Sequence, residues 1–221
     1  MPAWNLNDRD GLMNAAVTFY AILLIVACLL WLVTGVDLRP QLSVSVWTLS
    51  LGLLGVLPML PVMFLGGRLR DLVGDLLGRQ LSQCSVGDMA ALAAMAGVGE
   101  ELLFRGALQE WWARAGFLVG LIAANLIFGL LHAMTPMYFA IATAIGFYLS
   151  GLAEMGETRN LVAPMVAHGV YDFIGFLLIA NDWRRRPLDD ADPTTPDDSA
   201  EPAAEEPSPA EEPQDVVSRS L

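Results

Sequence analysis

Charge is scarce in this chain of 221 residues, and lysine is missing altogether. Only 16% of the residues are charged while 55% are hydrophobic, a balance too apolar for an ordinary soluble domain of this length. The composition therefore points to a polytopic membrane protein. The net charge of −12 is unevenly placed: residues 182–221 hold 12 acidic side chains against 4 arginines, so most of the acidity belongs to the tail. Such a balance speaks against nucleic acid as a partner, and neither an internal repeat nor a Gly-rich phosphate loop is present. Cysteine is limited to Cys28 and Cys84, which excludes a disulfide framework or a cysteine metal site. The stretch from Ile25 to Cys28 looks loosely like a lipoprotein cleavage box, but the flank before it holds one arginine rather than a basic region, and lipidation there is rejected. Histidine occurs only twice, at 132 and 168.

Long apolar runs are what the chain does have. A helix needs about 20 apolar residues to cross a hydrocarbon core of about 30 Å, and six segments are expected to do so: Leu12–Val36, Val44–Leu65, Met89–Leu108, Phe117–Ala133, Met137–Leu152 and Leu161–Ala180. The second is expected to kink at Pro58 and Pro61. Between the second and third, Arg68, Arg70 and Arg79 accompany an apolar period of Leu69, Leu72, Val73, Leu76 and Leu77, which predicts an amphipathic helix lying on the membrane surface. Arginines gather in alternate loops, so the positive-inside rule places both termini in the cytoplasm. Trp31, Trp47, Trp111, Trp112 and Trp183 fall near segment ends, as interfacial aromatics do. The expected organisation is an all-α transmembrane bundle in three parts. Residues 1–88 carry two spans and the amphipathic loop, 89–181 form the core, and 182–221 are a disordered, acidic, Pro-rich tail.

Ionisable groups inside a bilayer cost at least a few kcal/mol each and are rare unless paired or functional. Here they collect in three spans. In the third, Glu101 and Arg105 stand at i and i+4, with the acid first, and form an ion pair. Glu100 points about 100° away and has no local partner, so it is free to act as a general base. In the fourth, Asn125, Phe128 and His132 share one helical face. In the sixth, His168 and Asp172 are one turn apart and face either each other or a common cavity. A proton-coupled transporter is a competing reading of such a cluster, but the first, second and fifth spans offer no further acidic, basic or histidine residue to continue a relay.

The patterns Glu100-Glu101-x-x-x-Arg105, Phe128-x-x-x-His132 and His168-x-x-x-Asp172 resemble, in order and spacing, the CAAX protease and bacteriocin-processing family. These are glutamic intramembrane proteases that include the type II prenyl-protein endopeptidases. The resemblance covers roughly Met89 to Ala180. It implies a helical bundle in a bacterial cytoplasmic membrane, with a cavity open to the cytosol and a peptide or membrane-protein substrate. It also implies that Glu100 and His132 activate a water while His168 and the residue four later stabilise the oxyanion. Glu101, Arg105, Phe128 and Asn125 would position them. Where the family's prenyl-protein proteases have Asn, this chain has Asp172, and an ionised Asp cannot donate to an oxyanion. Asp172 is then protonated, or it orients His168, or the oxyanion rests on His168 alone. No cofactor is expected. The same side chains could instead bind a divalent metal such as zinc. A non-proteolytic relative, such as a bacteriocin immunity protein or a membrane scaffold, is the alternative function.

Overall fold

The computed structural model describes residues 8–65 and 67–186, and every regular element among them is helical. Helix α1 spans Arg9–Thr34. It opens where the Asp8 side chain accepts Gly11 N–H and closes at Gly35, whose φ of 67° lets its N–H reach Trp31 O. A left-handed glycine of this kind is the common way to end a helix. A 3₁₀ turn at Arg39–Gln41 leads to α2, Val46–Gly55, which begins with a reciprocal Ser45/Thr48 capping box. At the expected kink at Pro58 and Pro61 the helix passes through hydrogen-bonded turns over residues 56–59 and resumes as α3, Leu60–Leu65, where each proline removes a backbone donor. Helix α4 is Gly67–Gln83 and α5 is Val86–Glu101, the latter capped by Ser85 and Asp88. Its axis runs on as a π-helix over Leu102–Gln109 and a last turn, α6, Glu110–Ala113. Three helices follow: α7 at Phe117–Leu131, α8 at Pro136–Ala153 and α9 at Val162–Arg184.

Four stretches are long and apolar enough to cross a membrane: Arg9–Thr34, Val46–Phe64, Pro136–Ala153 and Val162–Arg184. Two of the six expected spans are different in kind. Helix α7 has 15 residues, or about 22 Å at 1.5 Å per residue. The run from α5 to α6 is long but carries Glu100, Glu101 and Arg105, all buried. The exposed surface of α1 is lined with Val17, Ile22, Ile25, Leu29 and Leu32, the character of a lipid-facing helix.

Polar contacts gather at two ends of the bundle, and α4 is held at one of them through both its start and its end. At one end Arg9 pairs with Asp88, Arg70 with Asp182, and Arg184 donates to Ser82 O. At the other, Arg114 donates to Thr34 O, Asn160 to Ser43 O, and Arg159 meets Glu110 and Glu154. Helix α4 departs from a simple surface-lying role. Its Val73, Leu77 and Leu81 pack against Ile179 and neighbours in one cluster, so much of its apolar face is covered by protein while Leu76 stays exposed. Of the tail expected to be disordered from residue 182, Asp182–Arg184 instead complete α9, and the part from Pro187 on lies outside the described residues.

The centre of the bundle is the crossing of α5 and α9, which small residues bring together. A Cβ on Gly97 would lie 2.6 Å from Met165 O and 2.8 Å from Gly169 N, and one on Gly169 would lie 3.2 Å from Ala93 O. Backbone approach of this kind is how helices associate where lipid removes the hydrophobic drive between them. Three residues beyond Gly97 stands Glu100, and one before Gly169 stands His168.

Candidate active site

The close crossing sets acid against imidazole. Glu101 Oε1 accepts from Arg105 Nη1 at 2.9 Å and from His168 Nδ1 at 2.8 Å. Glu101 and Arg105 form the expected ion pair and are fully buried. The bond to His168, 67 residues away, was not foreseeable from helical spacing. A carboxylate only accepts, so Nδ1 of His168 carries the proton and Nε2 turns to the cavity. There it lies 3.5 Å from Asp172 Oδ2 and 3.9 Å from Glu100 Oε2.

His132 ends α7 and approaches from the other side. Its Nδ1 bonds Phe128 O at 2.8 Å, and because a carbonyl cannot donate, this nitrogen too holds the proton. Its Nε2 is thereby left as an acceptor, 3.8 Å from Glu100 Oε2. Glu100 is buried, and Oε2 has no hydrogen-bond partner among the described residues. Its other oxygen, Oε1, accepts from the Tyr20 hydroxyl of α1 at 3.4 Å.

Behind these groups a buried polar network fixes the π-helix. Arg105 stacks 4.3 Å above the Phe128 ring and reaches Asn125 Oδ1 at 3.4 Å. Asn125 Nδ2 donates to Ser150 Oγ at 2.9 Å, and Ser150 donates to Gln109 Oε1 at 2.9 Å. Arg159 Nη2 caps the carbonyl of Arg105 at 2.8 Å. Arg105 Nε and Glu101 Oε2 stay without a hydrogen-bond partner among the described residues, and π-helical turns recur at functional sites. Phe104 packs edge-on against Phe128 and closes the apolar side.

A cavity of about 310 Å³ opens onto the cluster. Glu100, His132, His168, Asp172 and Tyr20 form its polar end, and Met59, Val62, Ile145 and Phe176 are among its apolar walls. The structure thus brings Glu100, His132, His168 and Asp172 to one cavity, with Glu101, Arg105, Phe128 and Asn125 behind them. Tyr20, Ser150 and Gln109 were missed in the sequence. A phenol beside Phe19 in an apolar run looks like any membrane aromatic, and a serine and a glutamine gave no spacing to follow. Among the described residues no three His, Cys, Asp or Glu side chains converge as a metal-binding group.

Residues 82–174 match the family model described as type II CAAX prenyl endopeptidase Rce1-like. This stretch, less than half of the chain, is similar to that family. It runs from the end of α4 into α9 and contains all eight residues singled out above; α1 lies outside it. With four helices apolar and long enough to span, the chain is an integral membrane protein. No curated protein and no solved structure matches it.

Proposed function

We propose that the protein is an intramembrane endopeptidase that hydrolyses a peptide bond with a water activated by Glu100 and His132. One observation carries this reading: Glu100 Oε2, unbonded, faces the Nε2 atoms of His132 and His168 at 3.8 and 3.9 Å on the wall of a cavity. Two acceptors at that spacing suit a single bridging water. The water gives one proton to each hydrogen bond and leaves a lone pair for the substrate carbonyl. Glu100 takes a proton as the oxygen adds to the carbonyl carbon. His168, with Nδ1–H fixed on Glu101, presents Nε2 to the developing oxyanion and stabilises it in its doubly protonated form. The tetrahedral intermediate then collapses, the C–N bond breaks, and the proton held by Glu100 leaves on the amine.

The reaction routes through side chains and water alone. Its substrate is a peptide or a segment of a membrane protein that reaches the cavity along apolar walls. The arginines gathered at the Arg9, Arg70 and Arg184 end support a topology with both termini in the cytoplasm of a bacterial cell. The test is cleavage of a membrane-embedded peptide library by wild type and Glu100→Gln, each with and without a strong chelator. Cleavage that requires Glu100 and survives chelation is expected. Full activity of Glu100→Gln would sink the mechanism, and loss on chelation would move the chemistry to a metal.

A further inference from the structure

We infer that Tyr20 on α1, outside the matched domain, is a positioning residue of the active site, acting through Glu100. The inference rests on the reading of Glu100 as general base. A glutamate's terminal torsion has broad, two-fold preferences, so its own covalent structure does not decide which oxygen faces the cavity or at what tilt. Among the described residues the hydroxyl of Tyr20 supplies the one hydrogen bond to this carboxylate, at 3.4 Å on Oε1. Occupation of Oε1 leaves Oε2 as the acceptor toward His132 and His168.

The surroundings are shaped for this contact. Gly99 provides room for the phenol ring: a Cβ there would come within 3.3 Å of Tyr20 Cδ1. Phe19 braces the ring edge-on at 5.2 Å. Tyr20 also lines the cavity beside Glu100. Helix α1 otherwise shows lipid a mostly apolar surface, and the phenol hydroxyl of Tyr20 has a reason to be there when a buried carboxylate receives it. Helix α1 is therefore part of the enzyme's chemistry as well as an anchor, and the three motif segments alone leave Glu100 without its orienting donor.

The experiment compares wild type, Tyr20→Phe and Glu100→Gln, full length in detergent micelles, in peptide cleavage and by NMR of protein labelled at tyrosine Cζ. Phenylalanine keeps the ring and removes only the hydroxyl. Tyr20→Phe is expected to melt with wild type and hold KM while kcat falls about tenfold, the worth of one hydrogen bond to a charged group. Unchanged kcat, or a rise in KM alone, would overturn the inference, since either makes Tyr20 only a cavity wall. The labelled spectrum judges the contact without any turnover. Of the four tyrosine signals, the one lost in Tyr20→Phe is expected to move in Glu100→Gln, while that of Tyr148, bonded to Gly55 O, stays. A stationary Tyr20 signal overturns the inference. Cleavage that survives Glu100→Gln instead sinks the proposed mechanism, and the spectrum still decides whether Tyr20 holds that carboxylate.

Discussion

Glu101 binds Arg105 and His168 through the same oxygen, Oε1, at 2.9 and 2.8 Å. The ion pair that fixes the π-helix thus also fixes the orientation of the imidazole facing the cavity. Removing Arg105 would leave a buried carboxylate whose remaining partner is that imidazole, and would strip the cation from the Phe128 face. Breaking a buried pair from one side costs about 3–5 kcal/mol. Arg105→Ala is accordingly expected to lower both yield and melting temperature in micelles. A wild-type melting curve would show that Glu101 does not depend on its ion pair.

Asp172 Oδ2 lies 3.5 Å from His168 Nε2 at the rim of the same cavity. An ionised carboxylate there can orient the imidazole but cannot donate to an oxyanion; an amide of the same shape can. Asp172→Asn is expected to keep or raise kcat, and Asp172→Ala to lower it about tenfold, as loss of one polar contact would. If Asp172→Asn instead falls as far as the alanine variant, the negative charge itself is in use, holding His168.

The polar face of each motif was legible because helical spacing is short-range: Glu101 to Arg105 and His168 to Asp172 are single turns, and the ion pair formed as spacing predicted. Contacts between helices follow no such rule. The bond from His168 to Glu101 spans 67 residues and that from Tyr20 to Glu100 spans 80, and each depends on a crossing that only packed glycines determine. The π-helix at Leu102–Gln109 was hidden for a related reason: its widened turn is sustained by Asn125, Ser150 and Arg159 from other elements. The all-helical class followed directly from composition. The surface helix was legible as amphipathic, but its apolar face was assigned to lipid, whereas α9 covers much of it.

The Arg9–Asp88 clamp ties the start of α1 to the start of α5, with contacts at 2.6 and 2.7 Å. The guanidinium and the Ser85 cap hold the Asp88 carboxyl well below the usual carboxylate range. A group with a depressed folded pKa stabilises above its unfolded value, about 3.9 for Asp, and loses that contribution as pH falls through the folded one. The melting temperature is therefore expected to hold near neutrality and decline below about pH 4. Asp88→Asn should melt lower at neutral pH and show a shallower acid decline. Parallel acid profiles for the two proteins would remove Asp88 from the account.

Gly97 is the residue on which the geometry of the site turns without touching any reacting atom. Its missing side chain lets α5 meet the backbone of α9 at Met165 and Gly169, and a methyl group would sit 2.6 Å from Met165 O. Backbone cannot step aside as a flexible side chain would, so Gly97→Ala must push the two helices apart. Displacement of even about 1 Å at a reacting centre can cost about 100-fold in rate. Gly97→Ala is expected to lose cleavage by at least that much and to melt lower, although Glu100, His132 and His168 are all retained. Gly151→Ala, with open space around it, is the control and should retain both activity and melting temperature. Equal activity in the two variants would mean that the close crossing of α5 and α9 is not what brings the acid to the imidazoles.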